Sequence, residues 1–490
     1  MCIKCEIGLA SLSLEYLFHP RSIAVAGVSG DSDSFNAGLR YLLIMAESGF
    51  KGSLHGVNPS GNEVAGFKIY ASVRDVPGEV DYVISAIPAR FTPQLMNDCV
   101  VKGVKAVQFF TAGFSEIEDA GGKKLEAELL SIARSNGIRI VGPNCLGLYC
   151  PETGLSFSPQ FPRQSGDFAF MAQSGGNSVN CVCEASSRGI YFSKVISFGN
   201  AIDLNECDFL EYLADDPKTR VIGVYLEGAR DGARFARILR ETTKRKPVIV
   251  LKAGSTDAGV RAAASHTGSM AGCNDMWESM LRQAGAIRVH SIGEVVDVAS
   301  VFLRMSFPKG RRALLIGPGG GASVIAADDC ARAGLVLPLL PAASREKLKQ
   351  LIGTETGGGF RNPIDLYRPD LLKQAVEAVG DWDEFDVLLA HLPFELYGLM
   401  PDATKDAIRS VFVQAVLSLN ESLFKPHAVV LHASTADKSR QQAMELQAKL
   451  SQAGFAVFES IGRAASAMNK AIGYYEWRQR AMVGDNGRFL

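Results

Sequence analysis

The chain is 490 residues long, 47% apolar and 21% charged, with a formal net charge of −1. At about 150 residues per domain, that is enough for about three globular cores. A near-neutral charge without a long basic run gives no reason to expect nucleic acid or an anionic membrane as a partner.

Met1–Phe18 carries Glu6 and Glu15 against a single basic residue, Lys4. It lacks the charged head and long apolar centre of a signal peptide, and no later stretch reaches about 18 uninterrupted apolar residues. A soluble, cytoplasmic chain is therefore expected. The ten cysteines are scattered, mostly within apolar segments, as buried thiols of a reducing compartment would be. Cys2 and Cys5 form a CxxC, but no second pair completes a four-ligand zinc site, so no metal is expected.

From Ser22 the pattern alternates. Apolar strands are predicted at Ser22–Ala26, Leu54–Val57, Tyr82–Ala86, Ala106–Phe110 and Ile138–Val141, with helices at Gly38–Ser48, Thr92–Val101 and Gly121–Asn136 between them. Such alternation predicts an α/β fold, a parallel sheet with helices on both faces. Ligands of these sheets sit at the carboxyl ends of the strands. The loops there are Gly27-Val28-Ser29, Asn58-Pro59, Ile87-Pro88, Thr111-Ala112-Gly113-Phe114 and Gly142-Pro143-Asn144. A glycine turn after the first strand suits a phosphate. The pattern is not GxGxxG, however, and the second strand ends without the acid that would hold a ribose, which argues against a dehydrogenase.

Pro151–Gly166 reads as a linker or wrapping arm. A second alternating unit follows, with strands at Asp167–Ala172, Lys194–Phe198, Val221–Leu226 and Pro247–Lys252. Ser174-Gly175-Gly176 lies between the first of these strands and a helix from about Asn177, a strand–glycine turn–helix arrangement whose unpaired N–H groups can hold an anion. Glu227 ends another strand. His266 lies in the small-residue stretch Ala262–Gly272, expected as a loop before a helix at Asp275–Ala284. An imidazole is neutral and nucleophilic near pH 7, and small neighbours would leave it open to a phosphoryl group. The alternative is a histidine that only hydrogen-bonds backbone. Ser174, Glu227 and His266 fall at one sheet edge, which favours the first reading.

A third unit has strands at Ala313–Ile316, Val387–Ala390, Ala428–Leu431 and Ala456–Phe458. Its glycine run, Gly317 to Gly321, lacks the Gly-Lys-Ser/Thr ending of a Walker loop and is expected as a structural turn or domain contact rather than a nucleotide site. Thr354–Arg361 is expected as a mobile loop.

The ordered set Val57-Asn58-Pro59, Thr111 to Glu116, Gly142-Pro143-Asn144-Cys145-Leu146-Gly147, Gln173-Ser174-Gly175, Ser197-Phe198-Gly199-Asn200 with Asp203, and Ser265-His266-Thr267-Gly268-Ser269 resembles the α part of NDP-forming acyl-CoA synthetases. Succinyl-CoA synthetase is a more distant relative. The resemblance spans about Phe18 to Tyr475. It implies a Rossmann-like CoA-binding domain at 1–150 and two flavodoxin-like domains at 151–305 and 306–490. It implies that His266 is phosphorylated, that Glu227 orients and charges it, and that Ser174, Gly175 and Gly176 hold the phosphate. Gly27, Val28, Ser29, Asn58, Pro59, Ile87 and Pro88 match CoA-contacting loops; Thr111, Ala112, Gly113, Phe114 and Asn144 would line the thioester end. Coenzyme A and a small carboxylic acid are the implied ligands. No segment is left over for the family's ATP-grasp module, so ATP, ADP and magnesium are expected on a separate β subunit, in an oligomer. Asp31 and Asp33 depart from the pattern by setting like charge beside CoA's phosphates. A non-catalytic CoA-binding module and a nucleotide-independent lyase or acyltransferase are the alternatives.

Overall fold

The structure, a computed structural model, describes residues 14–30, 36–117, 120–267, 274–317, 320–353, 360–380, 383–393, 400–423, 425–433 and 437–486, with backbone alone at 263–267, 380, 393, 402, 420–422, 437 and 484–486. Cys2, Cys5, Asp31 and Asp33, with most of Thr354–Arg361, lie outside the described residues.

The first sheet holds β1 (Ser22–Ala26), β2 (Ser53–Val57), β3 (Asn62–Val64), β4 (Phe67–Tyr70), β5 (Tyr82–Ser85), β6 (Ala106–Phe109) and β7 (Arg139–Val141), in the spatial order β3-β4-β2-β1-β5-β6-β7. Only β3 runs antiparallel to its neighbour. Without β3 the strands rank 3-2-1-4-5-6, the dinucleotide-fold order, and the chain reverses direction across the sheet between β1 and β5. The second sheet holds β8 (Gly147–Tyr149), β9 (Phe168–Ala172), β10 (Phe192–Ser197), β11 (Val221–Leu226), β12 (Val248–Lys252) and β13 (Ile287–Val289), in the order β13-β12-β11-β9-β10-β8. Its parallel strands rank 2-1-3-4-5, the flavodoxin order, with the reversal between β9 and β11. The third sheet, β14 (Ala313–Gly317), β15 (Ile364–Asp365), β16 (Val387–Pro393), β17 (His427–His432) and β18 (Ala456–Phe458), repeats that order with every pair parallel.

These strands form because their residues suit burial on both faces. Phe-Ala-Phe-Met-Ala in β9 and Val-Ile-Val-Leu-Lys in β12 are buried at every position. The helices are one-sided: Gly232–Arg245 buries Phe235, Ile238, Leu239 and Thr242 at i, i+3, i+4 and i+7. The α/β class and the flavodoxin-like second and third sheets are as expected. No helix among the described residues is long and apolar enough to cross a membrane.

Two local expectations are corrected. The small residues of Ala262–Gly272 predict a loop, yet a helix runs over Asp257–Thr267 and carries His266 in its last turn. Alanine is the best helix former, and Ala262–Ala264 extends a helix whose Gly259 N–H is capped by the Thr256 hydroxyl, 3.1 Å away. The helix after the Ser174 turn starts at Gly175 rather than Asn177. β8, inside 1–150, pairs antiparallel with β10 of the second sheet, so the first sheet itself ends at Val141.

The C-terminal helix, Ile461–Asn486, leaves the third sheet and packs on Ile292–Arg304 of the second unit. The join is ionic at its centre. Asp297, 2% exposed, accepts from Arg188 Nη1 at 2.6 Å and from Arg463 Nε and Nη2 at 2.7 and 3.0 Å. Removing the carboxylate would leave the buried Arg188 guanidinium with Glu184 as its remaining hydrogen-bonded carboxylate, and breaking a buried pair costs about 3–5 kcal/mol. Asp297→Ala is therefore expected to lose about that much in urea unfolding; a loss under about 1 kcal/mol would place the join elsewhere.

Candidate functional site

At the β1/β5 reversal, Gly27 sits at φ +98°, and a Cβ there would lie 2.6 Å from the Ala86 carbonyl oxygen. Only glycine lets the two strand ends approach this closely. The turn leads to the helix Ala37–Glu47, whose N-cap Asn36 accepts from Leu39 N–H at 2.6 Å and donates to the Ser29 hydroxyl. A glycine turn with a helix amino terminus behind it suits a phosphate-bearing ligand. Asn58 and Ile87 are half-buried at the same edge, and Pro59 and Pro88 are exposed. Val28 is fully buried, so it offers the edge only backbone.

Thr111 joins that crevice to the next loop by donating its hydroxyl to the Ile87 carbonyl at 2.5 Å. Glu116 Oε1 shapes the loop by accepting from the N–H groups of Gly113 (2.5 Å) and Phe114 (3.1 Å). Burial would raise the Glu116 carboxyl, but the Asn200 amide and these N–H groups together hold it below its usual range. Ala112 is exposed, Gly113 half-buried and Phe114 fully buried against Phe109. Phe114 thus supports this loop from beneath and does not line it by its side chain, because the core claims its ring.

Asn144, at φ +55°, bonds its N–H to the Thr111 carbonyl at 3.1 Å. Beside it the first two units are laced together by backbone: Asn200, Ile202 and Leu204 donate to Pro143 (2.9 Å), Gly142 (3.1 Å) and Ile140 (3.2 Å). Asp203 adds a two-pronged pair with Arg139, at 2.8 and 3.2 Å. Asn200 Nδ2 reaches back to Glu116 (2.6 Å) and Glu126 (3.0 Å). The carboxyl edges of the first and second sheets consequently meet.

At the second edge, Ser174 caps the helix Gly175–Ser187 by accepting from Asn177 N–H at 3.3 Å. A Cβ on Gly175 would lie 2.7 Å from Leu146 Cγ, so the bare turn is what admits the Gly142–Gly147 loop. Gln173, 8% exposed, ties β9 to β11: its Oε1 accepts from Glu227 N–H (2.5 Å) and Gly228 N–H (3.3 Å), and its Nε2 donates to the Gly228 carbonyl (3.1 Å). Glu227, 4% exposed, accepts from the Tyr225 hydroxyl at 3.1 Å. On the neighbouring strand, burial and the Arg288 guanidinium bring the Lys252 ammonium down to about 8, against the opposing pull of Glu227.

The structure therefore brings Ser174, Gly175, Gly176 and Glu227 to one edge. The backbone of the His266 helix lies against the 3₁₀ turn Ser115–Ile117 that ends the Thr111–Phe114 loop. The His266 side chain, and Gly268 and Ser269, lie outside the described residues.

Residues 21–151 match a CoA binding domain family, and residues 165–302 match a succinyl-CoA ligase like flavodoxin domain. Over 354 residues the chain is 39% identical to the α subunit of acetate–CoA ligase [ADP-forming] II from Pyrococcus furiosus, covering 72% of this chain and 76% of that one. The chain belongs to the NDP-forming acyl-CoA synthetase family. The 4-hydroxybutyrate–CoA ligase [ADP-forming] of Nitrosopumilus maritimus is 34% identical over 355 residues, covering 71% of this chain and 50% of the relative. Among solved structures, the dinucleotide-forming acetyl-coenzyme A synthetase 1 of Ca. Korarchaeum cryptofilum, in complex with phosphate and ADP, superposes with a TM-score of 0.82 at 31% identity, covering 96% and 98% of the two chains.

For an acyl-CoA synthetase, the groups whose roles the sequence does not announce are the ones that hold the edges in register. Gln173, Glu116 and Asn200 stand in the motifs only as letters, and Lys252 only as a strand end. A carboxylate three residues beyond Gly113 does signal a turn that accepts its own N–H groups. Nothing in the spacing ties Asn200 to Glu126. Gln173→Ala would leave buried groups of Glu227 and Gly228 without partners, at about 1–3 kcal/mol each. An expected loss of about 2 kcal/mol or more in chemical denaturation checks this; an unchanged midpoint would sink it.

Proposed function

We propose that this chain is the α-type subunit of an NDP-forming acyl-CoA synthetase, interconverting acyl-CoA, ADP and phosphate with a carboxylic acid, CoA and ATP. One observation carries the reading: the His266-bearing helix starts at the phosphate-turn edge of the second sheet and lies against the loop at the acyl edge of the first. In this reading 1–150 binds CoA, 151–305 carries the histidine and 306–490 is the second flavodoxin-like domain.

The Gly27–Ser29 turn, Asn58-Pro59 and Ile87-Pro88 take the CoA phosphates and nucleotide, and Thr111 to Gly113 with Asn144 take the thioester end. Phosphate attacks the thioester carbonyl; the C–O bond forms, the C–S bond breaks and CoA leaves as its thiol. His266 then attacks phosphorus of the acyl phosphate, forming N–P as the P–O bond to the carboxylate breaks. Glu227 accepts a hydrogen bond from the other ring N–H of the imidazole and stabilises the positive charge that forms on it. The N–H groups after Ser174 offset the charge on the phosphoryl oxygens. The phosphoryl group finally passes to ADP, which a separate ATP-grasp β subunit holds together with Mg²⁺. That subunit and this chain form the working oligomer.

The chain alone, given labelled inorganic phosphate and a panel of acyl-CoA thioesters from acetyl to aryl, is expected to take label without nucleotide. His266→Ala should abolish labelling while circular dichroism and melting stay at wild-type values. Labelled ATP should label the chain only when the β subunit is added. CoA binding without label under every condition would make the chain a binding module. Turnover with neither nucleotide nor label would make it a lyase or acyltransferase.

A further inference from the structure

Lys252 is buried, 3% exposed, and the chemistry above gives it no task. It ends β12 and pairs in register with Leu226, the residue before Glu227, so the two side chains leave adjoining strand ends. Its polar surroundings are sparse. The ammonium donates to the Ala253 carbonyl and lies 5.2 Å from the Trp277 ring centroid, and no carboxylate hydrogen-bonds it among the described residues. Arg288 of β13 lies alongside, donating from Nη2 to the Lys252 carbonyl at 3.4 Å, while its Nε and Nη1 are buried without partners. The charged groups facing Lys252 are thus Glu227 from β11 and Arg288 from β13.

A buried ammonium without a bonded carboxylate is a burden on the fold, and a methionine would fill the same space without it. What sits next to it supplies a reason. Ala253, whose carbonyl the ammonium holds and whose N–H bonds the Leu226 carbonyl at 2.8 Å, begins the segment that leads straight to His266. Resting on the reading of His266 as the phosphoryl carrier, we propose that Lys252 is a positioning residue for the phosphoryl step: its ammonium fixes the Ala253 carbonyl at the root of the His266 helix and sets positive charge beside the strand end that carries Glu227. Arg288, which also pairs with Glu278 at 3.5 Å, borders Lys252 on its other side.

The test compares Lys252→Met and Lys252→Arg with wild type and His266→Ala in full-length protein, using labelled phosphate with an acyl-CoA that labels the wild type. Lys252→Met is expected to melt at or above the wild-type temperature and to bind CoA within twofold by calorimetry. Its rate of labelling should nevertheless fall at least a hundredfold, and Lys252→Arg should recover a tenth or more of the wild-type rate. Labelling of Lys252→Met within threefold of wild type overturns the proposal. So does a loss of labelling that comes with a lowered melting point and lost CoA binding, because Lys252 then serves the fold. Label persisting on His266→Ala would instead remove the phosphohistidine reading itself, which keeps the two failures apart.

Discussion

The structure depends on the lacing of residues 200–204 along residues 140–143. A parallel sheet delivers its ligand chemistry at one edge only, the carboxyl ends of its strands. A reaction with two carriers, one for an acyl group and one for a phosphoryl group, needs two such edges turned toward each other. The three backbone bonds from Asn200, Ile202 and Leu204, with the Arg139–Asp203 pair beside them, do this turning. Each neutral bond is worth about 1 kcal/mol and the charge-assisted pair about 1.5–3 kcal/mol, so the join rivals a small interface in strength. The Gly142 and Ser197 motifs are the two sides of this one contact.

Around that join, polar groups act as couplings between elements distant in sequence. Glu116 receives N–H groups of its own loop on one oxygen and the Asn200 amide on the other, so the acyl-edge loop and the second unit share a carboxylate. Gln173 does the same between β9 and β11 with both ends of its amide. Each is buried or half-buried, where an unsatisfied partner would be costly. That cost makes the geometry well defined: the loops have one arrangement in which all these groups are paired.

The sequence made the strands legible because strands buried on both faces read as nearly continuous apolar runs. Ser22–Ala26, Val221–Leu226 and Ala456–Phe458 stand where their composition puts them. The helix at Asp257–Thr267 was not legible as such, since a run of alanine, serine and threonine serves loops and helices alike, and local capping decides between them. β3 is polar and mostly exposed, and β4, though apolar, is only four residues long, too short to stand out from its turns. β8 takes its partner from a later strand, and no local pattern announces that. The site divides along the same line. Ser174 and Glu227 could be placed at one edge because parallel topology alone dictates it, whereas Gln173, Asn200 and Lys252 act through partners that only the folded chain supplies.

In the proposed reaction His266 is the carrier, and its place in the chain suits what a carrier must do. A nucleophile on β12 itself would be held rigidly at the second sheet's edge and could meet only what that edge holds. A nucleophile past the end of an entire helix would have no definite place against the acyl loop. The last turn of Asp257–Thr267 lies between these extremes. The base of its segment is tied to β11 through Ala253 and to β12 through the Lys252 ammonium, and the helix body rests on the Ser115–Ile117 turn of the first unit. A helix so anchored bridges the second sheet's edge, where Glu227, Lys252 and the Ser174 turn stand, to the Ser115–Ile117 turn of the first unit. On that proposal, the charge that receives a phosphoryl group is built into the rigid sheet edge, and the group that moves the phosphoryl is carried on the element that spans the gap.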